Sequence, residues 1–99
     1  MNVNIQTVNF NADRKLLDAI SRKMEKLTTF HDRIIDSVVY LKLDNVVHNI
    51  KDKIVEIRVQ VPRHSFFVKT TSKSFEESFE NAFDSLVNQV KRRKEKMIA

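Results

Sequence analysis

Hydrophobic residues recur along the chain with two different periods and predict six elements. Strands are predicted where β-branched and apolar residues alternate with polar ones or run together, over 3–8, 34–43, 55–61 and 65–71. A 3.6-residue period predicts one helix that begins near Asp13 and a longer one over 74–97. The order β-α-β-β-β-α favours a parallel crossover followed by an antiparallel meander. The sequence therefore predicts one domain spanning residues 1–99 with an α+β fold in two layers, a four-stranded mixed sheet with two helices packed on one face.

The first helix combines an apolar face with a basic flank. Asn11-Ala12-Asp13 predicts an Asn or Asp cap with acid in the first turn. The predicted buried positions share an arc of about 100°, and they are Leu16, Leu17, Ile20, Met24 and Leu27. The basic residues cluster beside them, and they are Lys15, Arg22, Lys23 and Lys26. A solvated face whose lysine stems shield the core explains this flank as well as a binding surface does.

The second helix carries its acidic residues first and its basic residues last. Ser74 and Glu77 have the spacing of a capping box. Seven residues form the predicted buried stripe, namely Phe75, Phe79, Ala82, Phe83, Leu86, Val90 and Met97. Five cations surround the helix end, namely Lys91, Arg92, Arg93, Lys94 and Lys96. Cations at the C-terminal end of a helix complement its macrodipole, but five cations are more than the macrodipole requires. The pattern favours RNA or another polyanion as the partner, bound by a helix end that projects past the core.

The connections and the last strand leave some choices open. The polar segment 44–52 predicts a hairpin loop into which either neighbouring strand can extend, and Pro62-Arg63-His64 predicts a turn. At least one of Phe66 and Phe67 is expected in the core. The alternative use of these rings is to stack on single-stranded bases.

Composition narrows the function further. The formal net charge of +5 and a pI near 9.7 favour an anionic partner. The absence of cysteine excludes disulfides and thiolate metal sites and is easiest to reconcile with a reducing cytoplasm. The absence of glycine excludes phosphate-binding loops, dinucleotide fingerprints and nucleophile elbows. It equally excludes the glycine-dependent RNA-recognition and KH modules.

No pattern of catalytic or metal-binding residues emerges. His31, His48 and His64 are isolated in the sequence and predict no zinc site. Glu76 and Glu80 are one helical turn apart, as a solvated helix face would have them. We expect no enzyme activity, cofactor or small-molecule substrate, and the lack of an apolar run of about 18 residues predicts no membrane span.

The α-β-β-β-α part resembles a double-stranded RNA-binding domain, a fold that recognises the shape and phosphates of its ligand. Such domains commonly carry lysines at the start of their last helix. Here that start holds Glu76, Glu77 and Glu80 instead. A basic surface at the opposite end of this helix therefore predicts a different use of a similar scaffold.

Three blocks resemble the ribosome hibernation-promoting factors and ribosome-associated inhibitors. They are Lys26-Leu27 with Phe30-His31-Asp32-Arg33-Ile34, then Val39-Tyr40-Leu41-Lys42-Leu43, then Phe79-Glu80 with Asp84, Leu86, Gln89, Arg92, Lys94 and Lys96. The resemblance implies a cytoplasmic domain that occupies the messenger and transfer RNA channel of the small ribosomal subunit and silences idle ribosomes.

The same resemblance implies that basic residues of both helices contact ribosomal RNA. The matching positions are Lys23, Lys26, Arg92, Lys94 and Lys96. Four further RNA-binding candidates rest on the helix faces alone, namely Lys15, Arg22, Lys91 and Arg93. Ser74 departs from the aspartate of many relatives, which changes the helix cap.

The chain ends at Ala99 without the extra domain of long family members, so we expect a short form. Whether it pairs ribosomes, with or without a helper protein, stays open. The alternative function is a small protein-interaction module that uses a sheet face or an edge strand.

Overall fold

The computed structural model describes residues 2–45 and 51–98, and the side chains of residues 2–43 and 53–94. Its elements are β1 (Asn2–Val8), α1 (Arg14–Glu25), a 3₁₀ turn (Lys26–Thr29), β2 (Asp36–Asn45), β3 (Lys51–Val61), β4 (His64–Ser72) and α2 (Phe75–Ile98). This order confirms the predicted β-α-β-β-β-α fold. Both β2 and β3 extend into the predicted hairpin loop, whose residues 46–50 lie outside the described part of the chain.

The four strands form one sheet in the order β1-β2-β3-β4. β1 pairs in parallel with β2, so that Ile5 lies opposite Val39. The other two pairs are antiparallel, and their registers continue this row through Ile57 to Val68. The parallel crossover and the antiparallel meander predicted from the connections are therefore both confirmed.

The core lies between the sheet and the two helices. On β3 the alternate residues Val55, Ile57, Val59 and Val61 are all buried, because successive side chains of a strand point to opposite faces. The predicted stripe of α2 is buried from Phe75 to Val90, whereas the side chain of Met97 lies outside the described residues. The first helix contributes Ile20 and Met24, and Leu27 is buried in the 3₁₀ turn that follows.

Both helix caps differ in part from the predictions. The Asp13 carboxylate accepts the Leu16 N–H at 2.8 Å, as a cap should, but no acidic residue occupies the first turn of α1. At α2 the Ser74 hydroxyl accepts the Glu77 N–H at 3.1 Å. The Ser74 N–H donates to Ser72 Oγ instead of to Glu77. Only half of the capping box forms, because the Ser74 N–H bonds to the hydroxyl of the preceding strand end.

Two contacts hold the start of α2 against the rest of the domain. The buried Ser78 hydroxyl donates to the Lys53 carbonyl oxygen of β3 at 2.6 Å. The rings of Phe10 and Phe75 stack with their centres 4.6 Å apart. Together these contacts fix where α2 begins and therefore where its basic end lies.

The open sheet face is more polar than the core face, as predicted. Lys42 and Glu56 form an ion pair of 2.7 Å on neighbouring strands. Phe66 is buried in the core, whereas Phe67 is 43% exposed on this open face, with the Arg58 guanidinium 5.6 Å from its ring centre. The expectation that at least one of the two phenylalanines belongs to the core is confirmed.

Candidate nucleic-acid interface

Three of the four predicted basic residues of α1 lie together. Arg22, Lys23 and Lys26 line a shallow groove of about 370 Å³ with Ala19. Lys15 is exposed about two turns earlier on the same helix and does not line this groove. The groove is therefore formed by the last turns of α1, where the spacing of the three cations places them on adjacent positions of one flank.

Lys23 lies between the two helices. Its ammonium group is 3.6 Å from a Glu80 carboxylate oxygen and 5.3 Å from the ring centre of Phe83. The Lys23 side chain is 34% exposed, so its stem covers apolar surface while its charge stays accessible. Glu80, expected to belong to a solvated face, is exposed but also competes with any anionic ligand for Lys23.

Removing this competition gives a first prediction. We expect Glu80→Gln to tighten binding to a polyanion such as RNA about two- to threefold, since an exposed ion pair of this kind is worth only a fraction of a kcal/mol. Co-sedimentation titration measures the change. Glu77→Gln removes the same charge from an exposed residue of the same helix without touching Lys23. Equal effects of the two substitutions would contradict a specific role for the Lys23–Glu80 pair.

The basic residues of α2 contact the body of the domain. The Lys91 ammonium lies 5.3 Å from the ring centre of Phe30, which follows α1 in the chain. Arg92 and Arg93 line a groove of about 230 Å³ with His64 and Phe66. The prediction that the helix end projects past the core is therefore wrong as far as Arg93, because aromatic side chains from two other segments pack beneath it. Lys94 is exposed, and the side chain of Lys96 lies outside the described residues.

The basic ends of the two helices point in the same direction. Near the end of α1, Lys23 contacts Glu80 and Phe83 in the first half of α2. Further along both segments, Phe30 contacts Lys91 at the basic end of α2. The two helices are therefore parallel, and the basic end of α2 extends beyond that of α1. We define the basic surface as the described cations of these ends, namely Arg22, Lys23, Lys26, Lys91, Arg92, Arg93 and Lys94.

Sequence reasoning did not identify the cations of the neighbouring connections. His31, Arg33 and Arg63 line a cleft of about 480 Å³ together with Arg93 of α2. His31 and His64, isolated in the sequence, both contact the ring of Phe66, with centres 6.3 and 4.6 Å away. No local motif signals this cluster, because its members come from three distant segments. His48 lies outside the described residues.

Burial lowers the pKa of His31 below its usual 6.5, and the nearby cations Lys94, Arg33 and Arg93 lower it further, while Asp32 opposes them. The His31 ring is therefore neutral at pH 7. Its Nδ1 accepts the Arg33 N–H at 3.1 Å, which places the proton of the neutral ring on Nε2.

Other kinds of site find little support in the described residues. Across residues 2–45 and 51–98, no three His, Cys, Asp or Glu side chains come together as a metal ion would need. No helix in that part of the chain has a stretch long and apolar enough to cross a membrane.

The fold and the basic surface define a small α+β domain suited to binding a polyanion. The chain belongs to the family described as "Sigma 54 modulation protein / S30EA ribosomal protein", whose model matches residues 3–98. This membership confirms the resemblance to the ribosome hibernation family. No curated protein matches the chain.

Two solved structures share the fold over nearly the whole chain. A ribosomal subunit interface protein from Coxiella burnetii superimposes with a TM-score of 0.84 at 15% identity, covering 95% of this chain and 98% of that one. The N-terminal domain of Protein Y from Thermus thermophilus gives a TM-score of 0.79 at 25% identity, with 93% and 98% covered.

Proposed function

We propose that the protein is a ribosome hibernation factor. In this proposal it binds the small ribosomal subunit in the channel of messenger and transfer RNA and silences idle ribosomes in the cytoplasm. The observation that carries the proposal is that two parallel helices each end in a groove lined by cations, on a chain that belongs to a ribosomal protein family. The structural similarity to the N-terminal domain of Protein Y also supports this proposal.

The mechanism needs position and charge rather than catalysis. Cations of the basic surface pair with phosphate oxygens of ribosomal RNA and release the counterions condensed on it. Aromatic and ionic contacts hold two of these cations in place, since Lys23 lies against Phe83 and Lys91 against Phe30. A domain held in this way excludes messenger and transfer RNA by occupying their volume, without a cofactor or a small-molecule substrate.

The salt dependence of binding tests this mechanism. With roughly five to seven phosphates contacted, we expect a plot of log affinity against log salt concentration to have a slope of about −3.5 to −6. The purified protein is co-sedimented with separated small and large ribosomal subunits across a salt series. Stoichiometric binding to the small subunit alone, lost at high salt, is the expected result. Lack of binding at low salt would overturn the proposal.

The second candidate function is a protein-interaction module that uses the open sheet face. It is favoured by the exposed ring of Phe67, flanked by Arg58. An apolar contact of this kind predicts binding that changes little with salt. In the same salt series, ribosome binding that survives high salt and is lost in Phe67→Ser would support the sheet face over the basic surface.

A further inference from the structure

We propose that His31, Arg33, Arg63 and Arg93 form a phosphate-binding site that receives a phosphodiester group of an RNA strand at the end of the sheet. We call this site the arginine cleft. The proposal rests on the proposed function, since it extends the RNA contact from the helices to two connections of the sheet. None of its members except Arg93 belongs to the predicted basic surface.

Three separate segments build the arginine cleft. His31 and Arg33 come from the connection between α1 and β2, Arg63 from the turn between β3 and β4, and Arg93 from α2. Val61 and Pro62 complete its lining, and its volume is about 480 Å³. Because these segments are joined through the sheet and the core, the backbone positions of the four residues are fixed relative to one another before any ligand arrives, which lowers the ordering cost of binding.

The cleft gathers three guanidinium groups. Among the residues that the structure describes, none of the three makes an ion pair. Among the described side chains no carboxylate lines the cleft, although Asp32 lies near enough to act on His31. Like charges gathered without a counterion repel one another, and an anion of matching shape relieves that repulsion. Guanidinium groups match phosphate through paired hydrogen bonds.

Arg63 occupies a backbone conformation that arginine does not favour. Its φ of 66° is the left-handed region, which Gly and Asn adopt at lower cost. Pro62 directly precedes Arg63, and a proline followed by a residue with positive φ is the pattern of a type II turn. Gly or Asn usually occupies the position that Arg63 holds. The turn requires the positive φ, and the arginine at this position brings a guanidinium group to the cationic cleft at a cost that Gly or Asn would avoid.

His31 adds a neutral donor to the three cations. Its Nδ1 already accepts a hydrogen bond from the backbone N–H of Arg33. Nε2–H is therefore the donor available to a phosphate oxygen. The edge-on contact with Phe66 holds the ring. Burial and the cations that face it, Lys94, Arg33 and Arg93, lower the pKa of His31 against the opposing effect of Asp32. The ring is therefore neutral above its lowered pKa, and we expect this contact to be insensitive to pH between about 7 and 8.

The arginine cleft continues the basic surface. Arg93 lines both this cleft and the groove that contains His64, Gln89 and Arg92. The Gln89 side chain is fixed there by donating to the Phe67 carbonyl oxygen at 3.2 Å. A strand of RNA that contacts the end of α2 therefore meets the arginine cleft next, which is why we assign a backbone phosphate as its occupant.

The test removes two guanidinium groups that lie outside both helices. The double variant Arg33→Gln, Arg63→Asn keeps the turn, because Asn accepts a positive φ. We expect small-subunit affinity to fall about tenfold at physiological salt and the log–log salt slope to become shallower by about 1.5. The matched control, Arg14→Gln, Lys73→Gln, removes the same charge from exposed residues that line none of these clefts. Variant and control with equal affinity and slope would overturn the arginine cleft and leave the proposed function standing.

A second measurement does not depend on ribosomes. Titration of the ¹⁵N-labelled protein with inorganic phosphate is expected to shift the amide signals of positions 33, 63 and 93 in the wild type and to leave the signals of these positions unmoved in the double variant. No shift at these positions would overturn the site. If the wild type fails to bind small subunits while phosphate shifts these signals, the proposed function is wrong and the anion site itself is supported.

Discussion

Removing the charge of the basic surface is expected to abolish binding to the small ribosomal subunit. The variant carries Lys23→Gln, Lys26→Glu, Arg92→Glu and Lys94→Glu. Each cation that no longer pairs with a phosphate makes the salt slope shallower by about 0.7 to 0.9, and each introduced carboxylate adds repulsion, so we expect affinity to fall by about a thousandfold or more. Gln is used at Lys23 because a carboxylate at this position, beside Glu80, would destabilise the fold by itself.

The fold should survive these substitutions. Lys26, Arg92 and Lys94 are exposed, and surface changes usually alter stability by less than about 0.5 kcal/mol each. Circular dichroism and thermal unfolding check this directly. Co-sedimentation at low salt then measures binding in a sample known to be folded.

A control variant separates the location of charge from its amount. It changes the net charge equally at exposed residues away from the basic surface, with Arg14→Glu, Arg58→Glu, Lys73→Glu and Lys69→Gln. Gln is used at Lys69 because that residue faces Glu56 across the strand pair. We expect the control to retain most of the binding. If both variants failed to bind, total charge would decide binding and the assignment to the helices would be wrong.

Leu86→Ala is expected to cause the largest loss of stability. Leu86 is 0% exposed on α2 and belongs to the core cluster under the sheet. Truncation of a buried leucine removes transfer free energy and leaves a cavity, at a total cost of about 3 kcal/mol. In a domain of this size we expect the melting temperature to fall by about 12 to 20 °C. Such a loss is a large part of the roughly 5–15 kcal/mol that typically stabilises a native protein.

Ser85→Ala provides the matched control on the same helix. Ser85 is exposed, and alanine has the higher helix propensity, so stability should change by no more than about 0.5 kcal/mol. Denaturant unfolding of both variants gives the free energies. A loss below about 1 kcal/mol for Leu86→Ala would mean that the helix is not closely packed on the sheet at this point. Because the helix carries Arg92 and Arg93, weaker ribosome binding should accompany its loosening.

The repeating hydrophobic pattern carried most of the information on the fold. β3 could be predicted because Val55, Ile57, Val59 and Val61 alternate with polar residues, and α2 because its apolar stripe repeats about every 3.6 residues. The ends of the elements were harder to predict, since they depend on single hydrogen bonds. Ser72 replaces half of the expected capping box at Ser74 because the strand end happens to bring a hydroxyl near.

The candidate site was likewise predictable only in part from the sequence. Helical spacing alone brought Arg22, Lys23 and Lys26 to one flank, and the structure finds them lining one groove. Helical spacing could not indicate that Phe30 packs under Lys91, a contact that keeps the end of α2 against the domain. Contacts of that kind join residues from distant parts of the chain, and no local period encodes them.

The sequence by itself determined the order of the elements, the sides that they bury and the excess of cations at two helix ends. These features follow from local periodicity and composition, which act over a few residues at a time. Only the tertiary structure decided that Phe30 packs against Lys91, that Glu80 pairs with Lys23, and that Arg33 and Arg63 meet Arg93 in one cleft. Those juxtapositions depend on how the strand registers and helix packing bring distant segments together, which is a property of the whole fold.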